Sequence, residues 1–223
     1  LKTARLGAGV AAIADPTNAN LVYLYVAGGN SGTPAAPVAL RSVEFFTLTL
    51  DASGNQTVTG PTTATGQLAT ARWAVRAVAG TSGNNSVFPA ASPALYVLSG
   101  SGADLATLVK DIDFATVPAG GQLAAFTASG STGIKRPGYG GVLLNNQVMA
   151  FGGLQAGAAS TASDSASFAS PSNLGNFNSL GGGVLRMPRA LAGTALESAF
   201  IYQIGGASAA SNTAQATTEQ SIW

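Results

Sequence analysis

Gln147-Val148-Met149-Ala150-Phe151-Gly152-Gly153 and Phe200-Ile201-Tyr202-Gln203-Ile204-Gly205-Gly206 follow one plan: five largely apolar residues closed by a glycine pair. Each is preceded by an arginine, Arg136 or Arg189, 16 residues before the first glycine of the pair. The same order recurs upstream with longer spacings. Arg5 precedes Val22-Tyr23-Leu24-Tyr25-Val26-Ala27-Gly28-Gly29, and Arg72 precedes Leu95-Tyr96-Val97-Leu98-Ser99-Gly100. The extra residues fall in turn-rich stretches, Asp15 to Asn20 and Asn84 to Pro89, which lengthen a loop without altering the strands.

Each copy reads as two antiparallel strands. The apolar runs are short, β-branched or aromatic, and bounded by Gly, Pro and Asn, and Asn145-Asn146 between two such runs is a hairpin signal. A third strand is expected at Arg41 to Leu48, Leu108 to Phe114, Ala166 to Phe168 and Thr218 to Trp223. A fourth is expected at Gln56 to Thr59, Gln122 to Phe126 and Phe177 to Leu180. Four strands per repeated unit define a propeller blade. The expected fold is all-β, with four blade-like repeats at about 1–67, 68–132, 133–185 and 186–223. The most apolar strands predict a core containing Tyr23, Tyr25, Val97, Val148, Phe151, Ile201 and Ile204. The last copy runs only to its third strand, so the sequence predicts an open arc of a larger propeller, with apolar blade faces exposed near Gly7 to Ala12 and Ile201 to Ile204.

At these residues the chain resembles the kelch-repeat family. The marks are the arginine-led opening with its following glycine, the aliphatic strand ending in Gly-Gly, and Ser42-Val43-Glu44-Phe45-Phe46 in the place of the family's acidic–aromatic strand. From Arg136 to Arg189 is 53 residues, against about 50 for a kelch repeat. The resemblance covers nearly the whole chain. Copy two departs from it with Ser99-Gly100, and of the family's spaced Tyr and Trp only Trp223 is in place.

Composition narrows the chemistry. The 223 residues include no His and no Cys, which excludes a Ser-His-Asp triad, a cysteine nucleophile, haem or iron–sulfur ligation of the usual kind, and structural zinc. Oxygen-bound cations stay open, but no metal or cofactor is predicted. Charged residues are only 9%, hydrophobic residues 46%, and mean hydropathy is +0.29, so the chain is not of the disordered type. A formal charge of +1 gives no basic field for nucleic acid. The longest apolar run, Leu21 to Ala27, is too short for a membrane-spanning helix, and a β-barrel would need longer alternating strands. Leu1-Lys2-Thr3-Ala4-Arg5 reads as mature or excerpted sequence rather than a signal peptide.

Several motifs carry two readings. Arg5, Arg72, Arg136 and Arg189 either tie blades together through carbonyls and carboxylates or form a ring of charge that holds an anionic ligand. Gly28, Gly29, Gly100, Gly152, Gly153, Gly205 and Gly206 read as structural glycines at sharp turns. Gly7 to Ala12 mimics a dinucleotide fingerprint without the required preceding strand or following helix. Asp111-Ile112-Asp113 reads as a solvated strand edge, Leu154 to Gly183 as a long small-residue connection, and Asn55-Gln56-Thr57 and Asn84-Asn85-Ser86 as sequons.

The expected function is a non-catalytic, extracellular or cell-surface module that contacts protein partners, or copies of itself, through its blade loops. The alternative, from the kelch resemblance, is a carbohydrate-binding or mutarotase-like propeller. That alternative requires an axial pocket where arginines converge with Glu44, Glu197 or Glu219.

Overall fold

The computed structural model describes all residues except 34, 82–91, 132–135, 156–157, 182–184, 209–212 and 223. It is an all-β structure in which four antiparallel sheets are arranged as four propeller blades. Blade one contains β1 (Gly9–Ala14), β2 (Leu21–Ala27), β3 (Val43–Leu50) and β4 (Gln56–Thr63) in sequential order. Blade two repeats that order with β5 (Arg76–Gly80), β6 (Ala94–Leu98), β7 (Asp111–Thr116) and β8 (Thr127–Ser131).

Blade three starts with β9 (Gly140–Leu144) and β10 (Gln147–Phe151). A small ribbon, β11 (Leu154–Gln155) and β12 (Ala158–Ala159), leads to its long third strand, β13 (Ser163–Ser170). The short strands β14 (Asn173–Leu174) and β15 (Asn178–Ser179) both pair with β13. Blade four contains β16 (Gly193–Glu197), β17 (Phe200–Ile204) and, after the ribbon β18 (Ala207–Ser208) and β19 (Thr213–Ala214), β20 (Thr218–Ile222). Four separate sheets replace the single closed sheet of a membrane barrel. Among the described residues no helix is long and apolar enough to cross a membrane, which does not bear on crossing by strands.

Local chemistry explains these elements. The β1 sequence Gly-Val-Ala-Ala-Ile-Ala buries alternate residues, the period of a strand with one covered face. In β6, Ala-Leu-Tyr-Val-Leu, all five residues are buried, because blades cover it on both sides. Asn145 and Asn146, with φ of 45° and 69°, make the two-residue turn that sets β9 against β10, as their sequence predicts. The fourth strand of blade two lies at Thr127–Ser131, not at Gln122 to Phe126; Leu123 is instead buried beneath the connection between blades one and two. Within Leu154 to Gly183 the third strand expected at Ala166 to Phe168 is present inside the longer β13, and the fourth expected at Phe177 to Leu180 is reduced to β15.

The core lies between blades. Ile13, Tyr23, Tyr25 and Phe45 of blade one meet Ala77, Leu95 and Val97 of blade two. Tyr96, Leu98 and Ile112 on the other face of blade two meet Val148, Ala150 and Phe168 of blade three. Met149 and Phe151 then meet Ile201 of blade four. Packing runs from blade one to two, two to three and three to four; among the described residues no strand of blade one packs comparably on blade four. Ile204, expected in the core, is 50% exposed because its side chain lies on the uncovered face of blade four.

The backbone repeats more faithfully than the side chains. Two residues after each arginine, φ is positive in all four blades: Gly7 at 64°, Ala74 at 51°, Gly138 at 70° and Leu191 at 56°. The terminal pairs repeat too: 63° and 104° at Gly28-Gly29, 39° and 129° at Ser99-Gly100, 66° and 92° at Gly152-Gly153, and 64° and 97° at Gly205-Gly206. A β-carbon on Gly28 would sit 2.7 Å from the Arg72 carbonyl oxygen of the next blade, and one on Gly152 would be closer still to that of Arg189. Gly152→Ala therefore combines left-handed strain with a backbone clash, and its expected cost is about 3 kcal/mol. Gly54→Ala, at φ 82° with open space around it, is expected to cost about 1 kcal/mol. Urea unfolding of the two variants checks the contrast.

Candidate functional site

Each phased arginine is bound inside its own blade. Arg5 Nη2 meets Glu44 Oε1 at 2.5 Å, and its Nη1 donates to the carbonyls of Gly28 and Ser42 at 2.8 and 3.0 Å. Arg72 pairs with Asp113 and donates to the Asp111 carbonyl at 2.6 Å. Arg136 pairs with Asp164 and donates to the Gly152 carbonyl at 2.8 Å. Arg189 meets Glu219 at 2.6 Å and donates to the carbonyls of Gly205 and Thr217, each at 3.0 Å. In every blade the carboxylate comes from the third strand, β3, β7, β13 or β20. The fork thus ties the loop before the first strand to the third strand of one sheet and, in blades one, three and four, also to the glycine that follows the second strand.

Asp113 departs from the sequence expectation. It is fully buried against Arg72 and also accepts from the Ala69 backbone at 2.8 Å, while its neighbour Asp111 is exposed. Both acids keep the same face of β7, as expected, but Arg72 and the Ala69 N–H cover Asp113, while Asp111 stands at the open start of the strand.

The acids at the two ends of the molecule are tuned for charge. Burial works against ionising Glu44, yet the Lys2 backbone N–H, the Arg5 guanidinium and the Thr3 N–H outweigh it, and its pKa is lowered. At Glu219 burial is likewise outweighed by the backbone N–H groups of Arg186 and Met187 and by Arg189, with the same result. Asp15 lies well below the ordinary carboxylate range, held by the Tyr23 hydroxyl, the Gly120 N–H and Thr17. A depressed folded pKa contributes stability above the unfolded value and loses it as pH falls through the folded value. The urea midpoint is therefore expected to stay level between pH 7 and 5 and to fall as pH drops below about 4.

The inner strands β1, β5, β9 and β16 line a widely open channel of about 530 Å3. Its wall is mostly small and aliphatic: Ala11, Ala77, Val142, Leu143 and Ala195 among others. Arg76 is its one arginine, and none of Glu44, Glu197 and Glu219 lines it. Desolvation lowers the Arg76 pKa, partly opposed by Tyr139. Its Nη2 donates weakly to the Thr194 carbonyl at 3.4 Å, and its Nε is buried without a partner. Arg76 is not among the residues that the sequence singles out. Its only signal was position: a lone arginine at the start of an inner strand, four residues after the phased Arg72.

The four phased arginines do not line this channel. Among the described residues no three acidic side chains gather as a metal site. Asn55 of the first sequon is exposed beside β4, and the second sequon lies outside the described residues, as does Trp223. Gly7 to Ala12 opens β1 and leads to no helix. No family model matches the chain, and no curated protein matches it.

The loops at the arginine end of the blades form the other candidate surface. Asn30 organises the 28–42 loop: its Oδ1 accepts from the N–H groups of Gly32 and Val38 at 2.8 and 2.6 Å. Leu6, opposite Asn30, is exposed, as are Val38, Met187 and Leu191.

Proposed function

We propose that this chain is a non-catalytic binding module of kelch type, displayed outside the cytoplasm, that engages a protein partner through the loops at the arginine end of its blades. The observation that carries this reading is the division of labour at that end. The four phased arginines and their carboxylates are consumed in holding each blade, while loops with only scattered charges, Lys2, Arg41, Asp104 and Arg186, present Leu6, Val38 and Leu191 to solvent. Exposed apolar side chains on a pre-organised, sparsely charged rim suit a protein surface better than a small polar substrate.

A second reading, a carbohydrate or other polar ligand in the channel, is favoured by Arg76, whose buried Nε has no partner. Parallel binding assays on arrays of secreted proteins and of glycans separate the two. The protein-binding reading expects a saturable protein ligand whose affinity falls at least tenfold in the Leu6→Ser/Val38→Ser double variant and is unchanged in Arg76→Ala. Glycan binding abolished by Arg76→Ala, with no protein ligand found, would replace it with the second.

A further inference from the structure

Neighbouring blades are joined by a fixed set of backbone contacts. The second residue of a terminal pair donates its N–H to the carbonyl of the next blade's arginine: Gly29 to Arg72 and Gly153 to Arg189, both at 2.9 Å. A second contact links the positive-φ corners. The Gly7 carbonyl accepts from Val75 N–H at 3.2 Å, that of Ala74 from Gly138 at 2.8 Å, and that of Gly138 from Leu191 at 2.6 Å. A third comes from the middle of each second strand. The Tyr25 hydroxyl donates to the Gly121 carbonyl of blade two at 2.7 Å, and the Tyr96 hydroxyl to the Pro171 carbonyl of blade three at 2.6 Å.

Blade four repeats the donor half of this set with nothing opposite it. Counting back from the glycine pairs, Tyr202 occupies the place of Tyr25 and Tyr96. Gly206 stands where Gly29 and Gly153 stand, and Leu191 where Gly7, Ala74 and Gly138 stand. Among the described residues the Tyr202 hydroxyl, the Gly206 N–H and the Leu191 carbonyl have no hydrogen-bond partner. Blade one carries the complementary half. The Arg5 carbonyl and the Gly7 N–H are equally without partners.

The sheet faces at the two ends match in the same way. Leu24 and Val26 occupy the places of Leu95 and Val97, which are fully buried against the preceding blade; in blade one Leu24 is half-buried and Val26 is 7% exposed. On the same face of blade one Val10 is 45% and Val58 61% exposed. On the free face of blade four Ile204 lies beside Tyr202 and Phe200, with Ile222 76% exposed.

We propose that two copies of this chain close one ring head to tail, the free face of blade four of each copy packing on the free face of blade one of the other. One chain supplies the partner groups that the other lacks among its described residues. Gly206 donates to the Arg5 carbonyl across the seam, Gly7 donates to the Leu191 carbonyl, and Tyr202 reaches the turn between β3 and β4. Four blades and four make eight, within the range of about 4–8 for propellers. A blade-one face four strands wide and six residues long covers roughly 19 by 20 Å, and a blade-four face three strands wide and five residues long roughly 14 by 17 Å. Two seams then bury two faces of each kind, about 1,200 Å2, the lower end of a stable interface. The contact is heterologous, and it closes because the two seams are related by a two-fold axis.

Analytical ultracentrifugation of the chain at about 50 μM tests this. The expected species has twice the 21.9 kDa chain mass. Ile204→Asp blocks only the blade-four face and Val10→Asp only the blade-one face; both sites are exposed, so each variant is expected to fold with the parent circular-dichroism spectrum and to be monomeric. An equal mixture of the two retains one intact seam and is expected to give a heterodimer at least tenfold weaker than the parent dimer. A monomeric parent overturns the proposal. So does loss of the dimer in only one of the two variants, which marks a like-to-like contact. A second measurement uses the cysteine-free background: in Val10→Cys/Ile204→Cys, a short bis-maleimide is expected to join two chains. A cross-link within one chain would show that blade four closes on its own blade one, and would also overturn it.

Discussion

Arg72→Ala is expected to lower the free energy of unfolding by about 3–5 kcal/mol, the cost of orphaning one member of a buried ion pair. Arg72 and Asp113 side chains are both 0% exposed, so water cannot solvate the carboxylate left behind. Asp113 Oδ1 already lacks a hydrogen-bond partner, and the substitution also strips the Asp111 and Thr70 carbonyls of a donor. The contrast is Arg136→Ala. Its pair with Asp164 remains partly accessible, and solvent replaces part of what is lost, so about 1–2 kcal/mol is expected. The double variant Arg72→Leu/Asp113→Leu removes both charges together and is expected to recover part of the single-variant loss. Urea denaturation of the three proteins measures these differences, and equal losses in the two single variants would show that burial is not what distinguishes the pairs.

Val148→Asp is expected to cost about 4 kcal/mol or more at pH 7 and to leave the chain largely unfolded near 37 °C. Val148 is fully buried between blades two and three, packed with Tyr96, Leu98 and Ala166. The change removes the transfer energy of a buried aliphatic side chain, about 1.5–3 kcal/mol. It also places a carboxylate where no cation or donor reaches it. Burial raises the folded-state pKa of such a group, so the folded protein favours its protonated form. The destabilisation therefore grows as pH rises above the unfolded value of about 4 and shrinks below it. That is opposite in sign to the acid lability expected of the parent from Glu44, Glu219 and Asp15. Thermal melts of parent and variant at pH 4 and 7 separate the two behaviours.

The repeat was legible because its marks are rare in this composition. Four of ten basic residues recur in phase, and glycine pairs end the most apolar strands. The carboxylate partners were only half legible. Glu44 stands out in an aromatic strand, but Asp113 lies beside Asp111 and Lys110, and nothing in the letters says which of the two acids turns inward. What decides it is the Arg72 loop, which lies over Asp113 and stops short of Asp111, and that belongs to the fold. Ile204 was misplaced for a related reason: the sequence marks an apolar strand, but which of its faces is covered depends on how many blades follow. Arg76 escaped notice because its significance is positional. It gains a channel only once four inner strands surround one axis.

The recurring positive φ after each arginine has a consequence for how the chain can change over time. That corner is occupied by Gly, Ala, Gly and Leu, and the first place of the terminal pair by Gly, Ser, Gly and Gly. What is inherited from copy to copy is a torsion angle rather than a letter, and the junctions it serves join main-chain atoms. The letter at that corner can then drift while the main-chain junction to the next blade is preserved. A blade exchanged at its arginine for another keeps these backbone connectors and has only its facing side chains left to match.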